Sequence, residues 1–595
     1  MKAWGPLRPL VDIVGGRGLA ELSRRTRQVV LLAGAVGVVT GLAVAVFERL
    51  TAGLLRVVVS LPLGVEACLP AVGLAVAAVC LRLAGRRVSP ATSDEYIRAF
   101  HDVQGRLELR AVPARLLAAV ATLGSGGPLG YEGPSLYAGA AIGSYFQRRF
   151  ARLFKPDDSK VLLVAGAAAG VAAIFKAPVT GLVFALEVPY QEDLARRMLL
   201  PAAISAAVSY VVFAAVAGTE PILPVSGQPP FDLVELGGAA LIGLAAGCLA
   251  RLFVVVVTRA KATSTQGRAV LRVAAAGGAL AATVLLADLF GNGRLALGPG
   301  YNALRWALDP HRAVVAVAAL AVLRLAGTAA AIAGGGAGGL FIPLVIQGAL
   351  VGRAVGGLFD AGNTTLFPVV GMAAFLGAGY RVPLAAVVFV AEFTGRPGFV
   401  VPGLIAAVVA QLAMGRASVS PYQVSGRVGH LERRLRLPLS AVVDTEARTV
   451  PPDASIEDLF WQHLVGTRQQ SAAVVQGDTY LGLACVEDLS ALDREAWATT
   501  PVRSLMRTDA PVATPSWPLG DAIRAMEEAG VDRLAVRDGD RFVGVITAAG
   551  LLQLEELLER TDASSETSRR LAAVDRGGHA GGDLHGRPRR WRLFP

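Results

Sequence analysis

The segment FKAPVTGLVFALE, at Phe175–Glu187, recurs in the second half of the chain as YRVPLAAVVFVAE, at Tyr380–Glu392. In each copy a proline is followed nine residues later by a glutamate. A glycine-rich break that ends in proline precedes each copy: GYEGP at Gly130–Pro134 and GGLFIP at Gly338–Pro343. Glycine-interrupted apolar segments at corresponding positions of two halves are typical of an ion site between structural repeats. The sequence therefore predicts such a site where these segments meet.

The composition indicates a membrane protein. The chain has 595 residues, of which 53% are hydrophobic and only 17% are charged, with 68 glycines. A soluble protein would carry roughly a quarter charged residues. Several apolar stretches reach the roughly 20 residues that a bilayer span needs. We therefore expect a polytopic protein embedded in a lipid bilayer.

Glu132 is the most informative residue, because a carboxylate inside an apolar stretch is costly and is a functional candidate by default. It stands between Gly130 and Gly133, just before a helix that we expect to run from Pro134 to Ser144. The N-terminus of a helix carries unpaired N–H groups and the positive end of the dipole, and it therefore attracts anions. A glutamate tethered there can occupy the anion site or swing away from it. This arrangement predicts a gate.

Charge and side-chain chemistry exclude other classes. The net charge of +11 comes from arginines grouped in short loops, a pattern that predicts cytoplasmic loops and cytoplasmic N- and C-termini rather than nucleic-acid binding. The 4 cysteines and 6 histidines show no metal-ligand spacing. We therefore expect no metal, no catalytic residues and no enzyme activity, and no required cofactor. We expect the protein to lie in the plasma (inner) membrane of a prokaryote.

The chain changes character near Ser425, where long apolar runs give way to short ones of strand length. Two copies of a small α/β unit then follow, with Asp458 and Asp521 in equivalent positions. The predicted segments are a basic N-terminus at 1–27, a transmembrane domain at 28–425, a linker at 426–437, α/β copies at 438–498 and 499–560, and a disordered tail at 561–595.

Over about residues 25–560 the sequence resembles the CLC family of chloride channels and chloride/proton exchangers, with a C-terminal pair of CBS domains. Four motifs carry the resemblance: Gly130–Pro134 against G(K/R)EGP, Gly339–Pro343 against GxFxP, the alanine- and glycine-rich run Ala165–Pro178, and Ser420–Tyr422. The resemblance implies an all-α membrane domain, an inverted repeat of tilted and broken helices, followed by an α/β CBS-pair domain. It also implies a homodimer in which each subunit has its own chloride pore.

The resemblance assigns gating to Glu132. It places the anion among backbone N–H groups and one tyrosine hydroxyl, which suits chloride because donors bind it without trapping it. The implied anion-binding residues are Gly130, Tyr131, Gly133, Gly339, Leu340, Phe341, Ile342 and Tyr422.

Two departures from the family pattern affect the mechanism. The family motif GSGIP, which supplies a serine to the ion site, is degenerate here: Ala91 falls at the serine position, and a one-residue shift would bring in Ser89, Thr92 or Ser93. Anion selectivity is therefore left open. The internal glutamate that passes protons in exchangers is replaced by Val188, next to Glu187. Because valine cannot carry a proton, the sequence favours a channel, with a chloride/proton antiporter as the alternative and a non-transporting membrane sensor as a remote one.

CBS pairs often bind adenine nucleotides through a Thr or Ser followed three residues later by Asp. The first copy has Cys485 and Asp488, and the second has Thr547 and Gly550, so each keeps half of the pattern. Asp488 and Thr547 are the possible nucleotide contacts. A dimerisation or gating module without a ligand fits this pattern equally well.

Overall fold

The structure is a computed structural model in which the chain forms two compact units, residues 1–427 and 428–595. The residues it describes are 16–85, 88–102, 107–154, 158–220, 222–223, 233–266, 268–289, 293–309, 311–358, 365–426, 437–466, 469–547 and 550. The predicted tail lies outside these ranges, as do most of the basic N-terminus and most of the linker.

The first unit is built from helices. In chain order they are α1 (Gly16–Val58), α2 (Leu63–Ala84), α3 (Thr92–His101), α4 (Val112–Gly124), α5 (Glu132–Arg149), α6 (Val161–Phe175), α7 (Pro178–Glu187), α8 (Leu199–Ala217), α9 (Leu233–Thr263), α10 (Ala269–Asp288), α11 (Tyr301–Ala307), α12 (Val314–Ala333), α13 (Phe341–Leu358), α14 (Leu366–Tyr380), α15 (Pro383–Thr394) and α16 (Val400–Met414). Within the described ranges, eight helical stretches are long and apolar enough to cross a membrane. Shorter apolar helices, such as α6, α7, α14 and α15, lie among them.

The sequence repeat is also a structural repeat. Lys176 and Arg381 end α6 and α14 in the left-handed backbone conformation, with φ of 52° and 56°. The next residue in each copy leaves the helical conformation, as a residue before proline prefers, and the proline then opens α7 or α15. Two different sequences thus make the same helix–turn–helix unit.

The two halves meet at their glycine-rich breaks. Gly130 and Gly339 pair in antiparallel fashion: the Gly130 N–H donates to the Gly339 carbonyl at 2.9 Å, and the Gly339 N–H donates to the Gly130 carbonyl at 2.7 Å. Close contacts between small residues repeat this symmetry, because a Cβ on Gly166 would strike the backbone of α5, and one on Gly371 would strike the backbone of α13. The breaks therefore bring the starts of α5 and α13 together in the protein interior.

The helix expected over Pro134–Ser144 is longer than predicted. α5 begins at Glu132 and ends at Arg149. The gating candidate is therefore the first helical residue, and its own backbone N–H belongs to the positive end of the helix.

The second unit contains one six-stranded sheet in the order β1-β2-β3-β6-β5-β4. The strands are β1 (Thr449–Val450), β2 (Ser471–Gln476), β3 (Thr479–Cys485), β4 (Val512–Ala513), β5 (Arg533–Asp538) and β6 (Arg541–Thr547). In each copy the first strand is parallel to the second, and the second is antiparallel to the third, with a register shift at equivalent positions. β3 and β6 join the copies at Thr479 and Arg541. The predicted duplication of an α/β unit is confirmed.

Candidate functional site

The Glu132 carboxylate lies in a cradle of backbone N–H groups. Its Oε1 accepts a hydrogen bond of 2.6 Å from the N–H of Phe341, the first residue of α13. The carboxylate also faces its own N–H and that of Ile342. The residue is only 1% exposed, and its Oε2 has no hydrogen-bond partner among the described residues. Two helix N-termini thus converge on one carboxyl group, and this arrangement suits a bound anion.

Glycine is required in the cradle because the carboxylate lies directly against the backbone. A Cβ added to Gly130 or to Gly339 would occupy the space of the Glu132 carboxylate. A Cβ on Gly133 would lie 2.7 Å from the Thr92 hydroxyl and 3.0 Å from the Gly339 Cα. The glycines that the sequence predicted as anion-binding residues therefore surround Glu132.

Aromatic rings enclose the start of α13. The Phe341 ring lies 4.6 Å from the ring of Phe175, 5.1 Å from that of Phe184 and 4.8 Å from that of Phe389. All four are buried. Tyr131, also predicted to be part of the site, is buried with its ring edge-on to that of another phenylalanine. Such a lining excludes water and strengthens the attraction between N–H groups and a buried negative charge.

A cavity of about 650 Å³ adjoins this cradle. Polar residues at the start of α3 line one wall, and Leu340 and Tyr380 line another. Tyr380 is 1% exposed, and its hydroxyl faces the Ser93 side chain and the N–H of Leu340. The hydroxyl of Thr92 is buried and has no hydrogen-bond partner among the described residues. Hydroxyl groups therefore do reach the site from the degenerate segment, through Thr92 and Ser93 rather than Ala91.

Tyr422, the tyrosine that the motif indicated, lines the same cavity but is 44% exposed. Its role in anion binding stays a prediction. Sequence reasoning missed Tyr380, although this residue opens the second copy of the repeat and aligns with Phe175. A hydroxyl in one copy where the other has a plain phenyl ring was the available signal.

Gln423 is a second residue that the motif analysis overlooked. Its side-chain amide donates to the carbonyls of Val188 and Tyr380, at 2.8 and 2.7 Å. It thus ties the end of α7 to the end of α14. The Val188 side chain is fully buried. The neighbouring Glu187 accepts hydrogen bonds from the N–H groups of Leu384 and Ala385, at 3.2 and 2.8 Å, and so caps α15.

The predicted nucleotide contacts already have protein partners. Both oxygens of Asp488 accept hydrogen bonds of 2.8 Å from the Arg507 guanidinium. This pairing raises the pKa of Arg507 above its ordinary value. The Thr547 hydroxyl accepts a hydrogen bond of 3.0 Å from the N–H of Gly550. Within the described residues, no group of three His, Cys, Asp or Glu side chains could hold a metal ion.

Comparison with known proteins identifies the class. The family model described as voltage gated chloride channel matches residues 72–415, more than half of the chain, and a CBS-domain model matches residues 502–556. The chain belongs to this family of chloride channels and exchangers, the CLC family, and is a multi-pass membrane protein that transports anions. The predicted family and fold are confirmed.

Similar proteins include a chloride exchanger, a fluoride/proton antiporter and a eukaryotic transporter. The H(+)/Cl(-) exchange transporter ClcA of Klebsiella pneumoniae is 29% identical over 336 residues, which cover 52% of this chain and 69% of that protein. The crystal structure of a CLC-type fluoride/proton antiporter has a TM-score of 0.57 at 24% identity and covers 67% of this chain and 98% of its own. That of a eukaryotic CLC transporter has a TM-score of 0.55 at 19% identity and covers 88% of this chain and 97% of its own. The preference for a channel finds no support in the name of the ClcA relative, whereas the alternative, an antiporter, fits that name.

Proposed function

We propose that the protein exchanges chloride for protons across a membrane, with Glu132 taking part in both movements. The observation that carries this proposal is the position of its carboxylate, which occupies the N–H cradle that would otherwise hold a free anion. A chloride ion and a charged Glu132 compete for the same donors. Protonation cancels the charge for which the cradle is suited, so a protonated side chain would leave it to chloride. One residue can therefore make the two fluxes depend on each other.

The exchanger names of the relatives support the same proposal. A channel is the second candidate, and Val188 favours it, because this buried residue offers no titratable group. Chloride, rather than another halide, is the anion that we propose. This choice is part of the proposal, because the similar proteins include both a chloride exchanger and a fluoride/proton antiporter.

The test is transport by the full-length protein reconstituted into lipid vesicles loaded with chloride. Chloride efflux and proton uptake are recorded together, with a potassium shunt that prevents a membrane potential from building up. Proton uptake driven uphill by the chloride gradient supports an exchanger. Chloride efflux without proton movement overturns exchange and establishes the channel. If neither chloride nor protons move, the remaining candidate is a membrane sensor that does not transport ions.

We further propose that the protein is a homodimer in the plasma membrane of a prokaryote, with both termini in the cytoplasm. The arginine-rich loops support this orientation. The CBS pair would act as a dimerisation or gating module without an obligatory nucleotide, because both carboxylate oxygens of Asp488 already accept hydrogen bonds from Arg507. Mass measurement of the purified protein and cysteine labelling from each side of the membrane test these points.

A further inference from the structure

Asp94 has a buried carboxylate beside the cavity of about 650 Å³, and the proposed exchange function gives it no role. It lies at the start of α3, is 8% exposed and lines the cavity together with Ser93 and Tyr380. Its Oδ2 accepts a hydrogen bond of 2.6 Å from Lys261 of α9. A buried carboxylate beside an aqueous cavity in a membrane protein is a candidate for a proton pathway.

We propose that Asp94 exchanges protons between the cavity and Glu132, and thereby supplies the function that Val188 cannot. This inference rests on the proposed exchange function. Glu187 is less suited to the task, because both of its oxygens cap α15 and it lines a different cavity, with Arg381 and Glu192.

Two hydroxyl groups, those of Ser93 and Tyr380, line the same cavity as Asp94 on the side of the cradle. Ser93 precedes Asp94 in the chain, and its side chain faces the Tyr380 hydroxyl. That hydroxyl faces the N–H of Leu340, while the Glu132 carboxylate accepts from the next N–H, that of Phe341. The Tyr380 hydroxyl and the Glu132 carboxylate thus face the N–H groups of two consecutive residues.

The transfer balances without any other reactant. Asp94 takes a proton from a hydronium ion in the cavity and passes it, through water in the cavity that both residues line, to the Ser93 hydroxyl oxygen, which releases its own proton to Tyr380. Tyr380 in turn releases its hydroxyl proton to the Glu132 carboxylate. Both hydroxyls end neutral, Asp94 returns to its starting state, and the net change is one proton moved from the cavity to Glu132. The cavity volume of about 650 Å³ admits roughly twenty waters, at about 30 Å³ each, so water can reach Asp94.

Several charged side chains surround Asp94. Lys261 also donates to the Val419 carbonyl at 2.8 Å, so it stays held when Asp94 is neutral. Arg82 of α2 and Arg272 of α10 line the same cavity. Glu95, the neighbouring carboxylate on α3, pairs with Arg98 at 2.8 Å and with Arg115 at 3.6 Å. The two acidic residues of this helix therefore have separate partners, which provides a matched control.

The test compares Asp94→Asn, Ser93→Ala and Glu95→Gln with the parent protein in vesicles, recording chloride and proton fluxes together. We expect Asp94→Asn to keep chloride transport while its proton flux falls by about a hundredfold or more, the scale of a lost proton-transfer group. Ser93→Ala should lower proton flux in the same direction, and Glu95→Gln should keep the parent ratio of chloride to protons. If Asp94→Asn keeps the parent ratio of chloride to proton flux, the role of Asp94 is overturned while the proposed exchange function still stands.

A parent that moves chloride without protons would overturn both this inference and the proposed exchange. Because Asp94→Asn leaves Lys261 without its carboxylate, the double variant Asp94→Asn/Lys261→Gln removes both charges and guards against misfolding. The same loss of proton flux with chloride transport retained is expected there. Loss of both fluxes in a folded double variant would assign the pair to the anion path and contradict the relay.

Discussion

Glu187 and Glu392 cap each other's helices. Glu187 ends α7 and accepts hydrogen bonds from the first turn of α15, whereas Glu392, within α15, accepts from the N–H groups of Val179 and Thr180 in the first turn of α7, at 3.0 and 2.7 Å. Each short helix therefore depends on the other for its N-terminal cap. This exchange of caps locks the two halves of the repeat together next to the anion site.

Glu187→Gln and Glu392→Gln test whether these residues stabilise the fold or carry protons. Each change replaces a charged acceptor by a neutral one, which costs about 1–2 kcal/mol for a hydrogen-bonded charge at a helix N-terminus. We expect both variants to melt at a lower temperature than the parent and to keep the parent ratio of chloride to proton flux. Thermal unfolding followed by circular dichroism, together with the vesicle assay, measures both quantities. A lost proton flux in Glu187→Gln alone would instead identify Glu187 as a proton carrier.

Glu132→Gln should remove the charge that competes with chloride while preserving the size of the side chain. We expect chloride transport to persist, proton uptake to disappear and the pH dependence of chloride flux to be lost. Glu192→Gln is the control, because Glu192 is an exposed carboxylate that pairs with Arg381 at 3.4 Å and lies outside the cradle. A conducting Glu132→Gln variant with the parent's pH dependence would refute the gating role. The measurement is chloride flux across a series of pH values.

The sequence predicted the parts of the site that depend on local pattern. Glu132, Gly339 and the paired helices of the repeat lie in segments whose glycine, proline and carboxylate positions are constrained by the backbone itself. The repeat offered a signal for Tyr380, a hydroxyl where the other copy has a plain phenyl ring, whereas Gln423 lies outside the repeat and its contact with Val188 forms only in the folded chain. Lys261 and Asp94 are 167 residues apart, and only the folded chain brings them together. Val188 favours a channel by its local chemistry alone, and that chemistry says nothing about carboxylates elsewhere in the chain, such as Asp94.

Gly339→Ala tests the close approach of backbone and carboxylate. The new methyl group would take the place of Glu132 Oε1 and would also press on the Gly133 N–H at 2.7 Å. Because both neighbours belong to the cradle, we expect chloride flux to fall by about a hundredfold, as for loss of one well-placed donor. Gly34→Ala, where a Cβ meets nothing within 4 Å, should behave as the parent does. Equal fluxes in both variants would mean that the cradle is not on the transport path.

Tyr380→Phe separates the buried tyrosine from the one that the motif indicated. It removes a hydroxyl that faces Ser93 and the Leu340 N–H while keeping the ring against Phe184, 5.6 Å away. A hydrogen bond to a charged group contributes about 1.5–3 kcal/mol, so chloride should bind at least about tenfold more weakly. Tyr422→Phe should weaken binding less, because Tyr422 is 44% exposed and water can replace its hydroxyl. Calorimetric titration of the purified variants with chloride measures both affinities. A larger loss of affinity in Tyr422→Phe would identify Tyr422 as the tyrosine that binds the anion.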